Sequence, residues 1–170
     1  MKHLLYLKHW QVFLRLMFIM LIGNFEIEEH DELNKAVSLI GLLLNLAILM
    51  VYGHYLYDFL PKGISLNYNL FMVNGFIYAA AIVAATILLS NNSLHVTGWK
   101  ALPIFYLIYA AFYTIAFPAR LLKYIELNRN VDFGEYLPLA IGFIFWPFTI
   151  WFIQPRVNKI VKYYQPQLEE

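Results

Sequence analysis

The stretch AVSLIGLLLNLAILMVYGHYLYDFL, residues 36–60, decides the fold class of this chain. No aspartate, glutamate, lysine, arginine or histidine interrupts it before His54. An α-helix rises about 1.5 Å per residue, so about 20 such residues cross the roughly 30 Å of hydrocarbon in a bilayer. The stretch therefore predicts a transmembrane helix.

Four further apolar stretches accompany it, at residues 10–23, 68–89, 101–117 and 136–153. The chain is 61% hydrophobic and 14% charged, whereas soluble domains carry about 25% charged residues. Strands of a membrane barrel would alternate apolar and polar residues, and these stretches are apolar all round. We therefore predict a single all-α membrane domain over residues 1–170, a polytopic transmembrane helix bundle with four to five membrane segments.

Lysine and arginine in the short loops predict the orientation, because these residues accumulate on the cytoplasmic side. With a cytoplasmic N-terminus, the first four segments leave six such residues inside and two outside. The inside residues are Lys2, Lys8, Lys62, Arg120, Lys123 and Arg129, and the outside residues are Lys35 and Lys100. We therefore expect the N-terminus in the cytoplasm.

The fifth segment leaves the side of the tail open, because Arg156, Lys159 and Lys162 follow it. A full crossing places these three residues outside and makes the count six to five. A segment that re-enters near Pro147 returns them inside and makes the count nine to two. We favour the plain crossing, since neighbouring helices satisfy the carbonyl group that a proline frees.

His54 and Asp58 are candidates for chemistry within the second segment. They lie four residues apart and share one helix face. A histidine beside a carboxylate relays protons near neutral pH or supplies two ligands of a cation site. The pair lies just before Leu60 and Pro61, where the helix is expected to end, so we favour anchoring at the headgroups over a relay.

Asn45 and Asn74 lie near the middle of their segments. An amide in hydrocarbon needs a hydrogen-bond partner, and such bonds between helices contribute about 0.6–2 kcal/mol each. We interpret both as packing residues between helices, with a polar route through the protein as the alternative.

The third segment carries small residues at four-residue spacing, which let two helices approach closely. They include Gly75, Ala79, Ala80 and Ala84. We expect this face to form the internal seam of the bundle, with a self-association surface as the alternative.

The segment after Pro118 carries Arg120, Lys123 and Arg129, which we expect to contact anionic lipid or a partner protein. Lys123 lies three residues before Glu126, and Arg129 three residues before Asp132, so each spacing predicts an ion pair. Residues 26–32 contain five acids, which we interpret as a solvated cluster rather than a calcium site.

Several functional classes are excluded by what the sequence lacks. There is no cysteine, which excludes disulfides and thiolate sites, and the net charge of +1 indicates no basic surface for binding nucleic acid. No GxSxG, HExxH or phosphate-binding glycine loop occurs. Only His54 of the five histidines lies within a predicted segment, which disfavours a haem held by two histidines. We therefore expect no enzymatic activity, no cofactor and no metal site.

Three short stretches resemble a group of small bacterial multi-span membrane proteins. They are LKHWQ at residues 7–11, ELNRNVDFGE at residues 126–135 and WFIQPRVNK at residues 151–159. The resemblance implies a bacterial cytoplasmic membrane and five hydrophobic segments, and it implies no activity.

Together these observations predict a non-catalytic integral membrane protein of the cytoplasmic membrane. It would act as an interaction or accessory subunit through helix seams and the basic cytoplasmic segment, with the bilayer and a membrane-protein partner or a second copy around it. The alternative is a small proton- or ion-coupled transporter or channel in which Asn45, His54 and Asp58 line a polar face.

Overall fold

The protein is helical throughout the part of the chain that the computed structural model describes, residues 3–88 and 98–168. Those residues contain no strand, so the all-α prediction is confirmed. The helices are α1 (His3–Tyr6), α2 (His9–Gly23), α3 (Asp31–Tyr57), α4 (Tyr68–Leu88), α5 (Leu102–Leu127), α6 (Phe133–Ile144) and α7 (Trp146–Leu168), with a 3-10 turn at Gly98–Ala101 before α5.

Three of these helices are long and apolar enough to cross a membrane: α3, α4 over Tyr68–Ile87, and α5. The other two predicted segments form shorter helices. Residues 10–23 fall in α2, which has 15 residues and rises about 22 Å, and α6 has 12 residues and rises about 18 Å. Neither spans the hydrocarbon as a straight helix perpendicular to the bilayer.

Large apolar side chains cover the outside of the bundle, as a lipid environment requires. Phe76 on α4 is 63% exposed, Phe112 on α5 is 60% exposed and Phe152 on α7 is 74% exposed. Inside, the rings of Phe71 and Phe117 stack with centroids 4.2 Å apart and join α4 to α5. A water-soluble globule of this size would instead place polar groups on these outer faces.

The fifth predicted segment is a helical hairpin, and the plain crossing that we favoured is wrong for this fold. α6 ends at Ile144, and α7 starts at Trp146 and folds back along α6. The Thr149 hydroxyl donates to the carbonyl oxygen of Gly142, and a Cβ added at Gly142 would lie 3.5 Å from Ile153. Pro147 fits the break, because it is the second residue of α7, where the N–H that proline lacks would have no partner inside the helix.

The hairpin returns the tail to the end of the bundle where α3 and α5 finish. Arg156 Nε lies 3.1 Å from Glu126 Oε1 at the end of α5. The ring of Tyr164 lies 6.1 Å from that of Phe59, just after α3. The N-terminal helix α1 packs on α7 at this same end. We call this the termini end of the bundle, and it is the arrangement of the re-entrant alternative.

Candidate functional site

A buried polar cluster fastens the hairpin to the N-terminal segment. Gln154 of α7 is fully buried and accepts a hydrogen bond from the Tyr52 hydroxyl of α3. Its amide nitrogen lies 2.9 Å from the carbonyl oxygen of Leu7, 3.3 Å from that of Leu5 and 3.1 Å from Asn158 Oδ1. We call these five residues the Gln154 cluster.

The cluster provides hydrogen-bond donors for carbonyl groups that the short helix α1 leaves without partners. A helix leaves its last carbonyl groups without partners inside the helix. The carbonyl oxygens of Leu5 and Leu7 lie at this end, and Asn158 Nδ2 donates to the Leu7 oxygen as well, at 3.1 Å. Two amide side chains of α7 therefore supply donors where water is excluded. The one signal of this cluster in the sequence is a glutamine within the apolar stretch 151–155.

His54 and Asp58 lie at the termini end of the bundle, where α3 finishes. Both are exposed, and Asp58 follows the last residue of α3. His54 Nδ1 lies 2.6 Å from the Tyr68 hydroxyl at the start of α4. The histidine therefore joins the two helices across their loop.

The two asparagines differ in their surroundings. Asn74 is fully buried, and its Oδ1 accepts a hydrogen bond of 3.0 Å from the Tyr106 hydroxyl of α5, which agrees with the packing interpretation. Asn45 is half-buried, and its amide has no hydrogen-bond partner among residues 3–88 and 98–168. Asn45 lines a cavity that is described below.

The small residues of α4 do not form one internal seam. Gly75 is buried, and a Cβ there would meet Met50 of α3, so this position does pack helix on helix. Ala79 is half-buried, whereas Ala80 and Ala84 are exposed on the outside of the bundle. The prediction is wrong for these two alanines because α4 is the least buried of the three helices long enough to cross a membrane, and its main contacts are with α3 and α5.

A close backbone contact also joins α2 and α3, and no motif in the sequence predicted it. A Cβ added at Gly41 would lie 2.8 Å from Gly23 Cα, so the two backbones touch without side chains between them. The Ser38 hydroxyl donates to the Gly23 carbonyl oxygen at 2.5 Å. The two glycines lie 18 positions apart in different segments, so no single-helix pattern reveals them.

The basic residues after Pro118 are largely engaged within the protein. Arg120 donates to the Tyr124 hydroxyl at 2.6 Å and lies over the rings of Tyr124 and Tyr136. The predicted pair of Lys123 with Glu126 is wrong, because Glu126 pairs with Arg156 of α7. Arg156 lies on α7, and α7 reaches Glu126 because it forms a hairpin with α6.

Arg129 pairs with Glu135 at 2.5 Å, and not with Asp132 as the spacing predicts. Glu135 also accepts a hydrogen bond of 3.0 Å from the backbone N–H of Asp132, which caps the start of α6. These two interactions, the guanidinium first, hold the pKa of the Glu135 carboxyl below its ordinary value. The carboxylate is therefore charged near neutral pH and fixes the loop between α5 and α6.

An open groove of about 590 Å³ lies at the termini end between α5 and α7. Its polar edge carries Arg156, Glu126 and the exposed Lys159, and its floor contains Ile125 and Ile160. Lys162 is exposed one turn beyond Lys159. We call this the α5–α7 groove, and its basic residues come from α7 rather than from the predicted segment.

A second cavity, of about 400 Å³ and open to the outside of the bundle, lies where the tip of the hairpin meets α2, α3, α4 and α5. Its wall is mainly apolar, with Asn45, Tyr78 and Trp146 among the lining residues. We call it the hairpin-tip cavity. Within the described ranges no three histidine, aspartate or glutamate side chains group closely enough to hold a metal ion.

Comparison of the chain with protein families, with curated proteins and with solved structures finds no match.

Proposed function

We propose that the protein is a non-catalytic integral membrane protein of a bacterial cytoplasmic membrane that serves as an interaction or accessory subunit. It binds an acidic segment of a membrane-protein partner in the α5–α7 groove. The observation that carries the proposal is the groove itself, in which the exposed Lys159 lies beside an apolar floor. A site of this kind provides both charge complementarity and apolar contact.

The distribution of charge supports a cytoplasmic location for the groove. The hairpin brings Arg156, Lys159 and Lys162 to the termini end, so the positive-inside count becomes nine to two. The opposite end carries the acids of residues 26–32. A basic cytoplasmic surface attracts acidic partners and also anionic lipid headgroups.

Cysteine labelling tests this orientation, because the chain contains no natural cysteine. We expect a cysteine at Ser65 and a cysteine at Tyr163 to react with an impermeant maleimide only from the cytoplasmic side. A cysteine at His30 should react from outside in intact cells, since the three positions are exposed at opposite ends of the bundle. Equal labelling of the Tyr163→Cys and His30→Cys variants in intact cells would contradict the cytoplasmic tail.

Photocrosslinking from the groove tests the interaction itself. With a photoreactive residue at Tyr163, which is 67% exposed, we expect a discrete adduct with another membrane protein. Lys159→Glu should reduce this adduct about tenfold, because the reversed charge repels an acidic partner. The yield of adduct on denaturing gels is the measurement.

Lys62→Glu is the matched control, since Lys62 is exposed at the same end of the bundle but outside the groove. It should leave the adduct unchanged. An adduct of twice the chain mass would identify a second copy as the partner. Adducts with lipid alone, or equal losses in both variants, would overturn the proposal.

A further inference from the structure

Arg15 is a charged residue on the outer surface of the apolar helix α2. It lies six residues after the start of the helix, and the large apolar side chains of Leu14 and Phe18 are exposed beside it. Within the described residues its guanidinium pairs with no carboxylate, since the ion pairs there join other side chains. A guanidinium stays charged at neutral pH, and an unpaired charge in hydrocarbon is strongly unfavourable. Arg15 therefore requires an anion from outside the bundle.

Two tryptophans mark the level at which α2 enters the bilayer. Trp10 in the first turn of α2 is 46% exposed, and Trp151 of α7 is 45% exposed, with its ring centroid 4.5 Å from that of His9. Exposed tryptophans of membrane proteins concentrate at the headgroup level. Arg15 lies five residues beyond Trp10, about 7.5 Å further along the helix axis. Because helical side chains lean towards the helix N-terminus, an arginine at this position can reach back to the headgroups.

A second cation lies on the same face of α2. Lys8 precedes Arg15 by seven residues, which is about two helical turns or about 10 Å along the axis. Lys8 is exposed, and it also has no carboxylate partner in the part of the chain that the structure describes. We call this the Lys8–Arg15 face, and its positive charge runs from the headgroup level into the hydrocarbon.

We propose that the Lys8–Arg15 face binds an anionic phospholipid of the leaflet at the termini end. The lipid phosphate accepts two hydrogen bonds from the Arg15 guanidinium, whose planar fork matches phosphate oxygens. The Lys8 ammonium attracts the outer part of the headgroup, and the acyl chains lie along Leu14 and Phe18. This site is independent of the α5–α7 groove, because no residue that lines the groove comes from α2.

The length of α2 favours a lipid over an acidic side chain of a partner protein. The helix has 15 residues and rises about 22 Å, whereas the hydrocarbon of a bilayer is roughly 30 Å thick. A bilayer adapts to a short helix by local thinning, which lowers lipid phosphates towards Arg15. A lipid of net negative charge is preferred to phosphatidylethanolamine, because the ammonium of the latter is repelled by the two cations.

Native mass spectrometry of the full-length protein released from detergent micelles tests the proposal. The probes are phosphatidylglycerol and phosphatidylethanolamine with identical acyl chains at equal concentration. We expect phosphatidylglycerol to be retained in preference. Arg15→Gln should weaken its apparent affinity roughly three- to tenfold and Lys8→Gln roughly two- to fivefold, because each removes one cation near a lipid phosphate. Arg15→Lys keeps the charge and should lose less affinity than Arg15→Gln.

Lys62→Gln is the matched control, since Lys62 is exposed at the same end of the bundle but does not lie on α2. It should leave the affinity unchanged. Equal retention of the two lipids, or equal losses in Arg15→Gln and Lys62→Gln, would overturn the proposal. Arg15 is exposed, so its glutamine variant should fold, and circular dichroism checks this. If that variant unfolded, unchanged affinity in Lys8→Gln would overturn the proposal instead.

Two further measurements identify the source of the anion. Inorganic phosphate at millimolar concentration should not displace the lipid, and displacement would show a site for free anions and overturn the proposal. With a photoreactive residue at Leu14, which is 56% exposed, we expect adducts with lipid in cells. A protein adduct that Arg15→Gln abolishes would show that an acidic partner supplies the anion, and it would overturn the proposal as well.

Discussion

Replacement of Gln154 by leucine is expected to destabilise the protein by about 2–4 kcal/mol, the largest effect of any single side chain described above. In a chain of 170 residues this corresponds to a fall in Tm of roughly 5–15 °C. The measurement is thermal unfolding of the purified protein in detergent, followed by circular dichroism.

The physical reason is that several partners lose their hydrogen bonds together. Leucine is close to glutamine in size, so it fills the space but neither donates to the Leu5 and Leu7 carbonyl oxygens nor accepts from Tyr52. A buried polar group that loses its partner retains the full cost of desolvation. We therefore also expect the N-terminal segment to detach and to become sensitive to limited proteolysis near Lys8.

Lys162→Gln is the matched control, because Lys162 is exposed on the same helix. An exposed substitution of this kind should change the free energy of unfolding by less than about 0.5 kcal/mol. If Gln154→Leu unfolded at the temperature of the unmodified protein, the Gln154 cluster would not be what holds α7 to the N-terminus.

Gly41→Ala is expected to be the second strongly destabilising substitution, at about 1–3 kcal/mol. The added methyl group would lie 2.8 Å from Gly23 Cα and 3.4 Å from the Ile19 carbonyl oxygen. Both are backbone atoms, so α2 and α3 must separate. The separation would also lengthen the hydrogen bond from Ser38 to Gly23.

Gly75→Ala provides the comparison that isolates this backbone contact. Its added methyl group would meet the side chain of Met50 at 2.6 Å, and methionine has three rotatable bonds with which to move aside. We expect it to cost less than about 1 kcal/mol. The difference in unfolding midpoint between the two variants is the readout, and equal midpoints would show that α2 and α3 tolerate a wider spacing.

Much of the fold could be predicted from the sequence because the deciding quantity is local. A run such as residues 36–60 fixes a helix through the length and polarity of consecutive residues alone. The same reasoning placed α4 and α5 and found the apolar stretches that became α2 and α6. It also placed His54 and Asp58 at a helix end.

Prediction of the ion pairs was weaker, and the two errors have different causes. Arg129 and Asp132 lie in the loop between α5 and α6, where a spacing of three does not bring side chains together, and Arg129 pairs with Glu135 instead. Lys123 and Glu126 both lie in α5, but the hairpin brings Arg156 of α7 to Glu126, a contact that spacing along the chain does not reveal. Ala80 and Ala84 likewise have the small-residue spacing of a helix seam, but both are exposed on the outside of the bundle.

The sequence by itself determined that the chain is a helical membrane-type bundle, since hydrophobic length is a property of consecutive residues. Only the tertiary structure decided that residues 136–153 form a hairpin, that the tail returns to the termini end and that Gln154 meets Leu5, 149 positions away. A segment that crosses the membrane and a segment that turns back within it have similarly apolar sequences, so hydrophobicity alone does not distinguish the two arrangements. The choice depends on which buried amides find partners across the bundle, and those partners lie far apart in the chain.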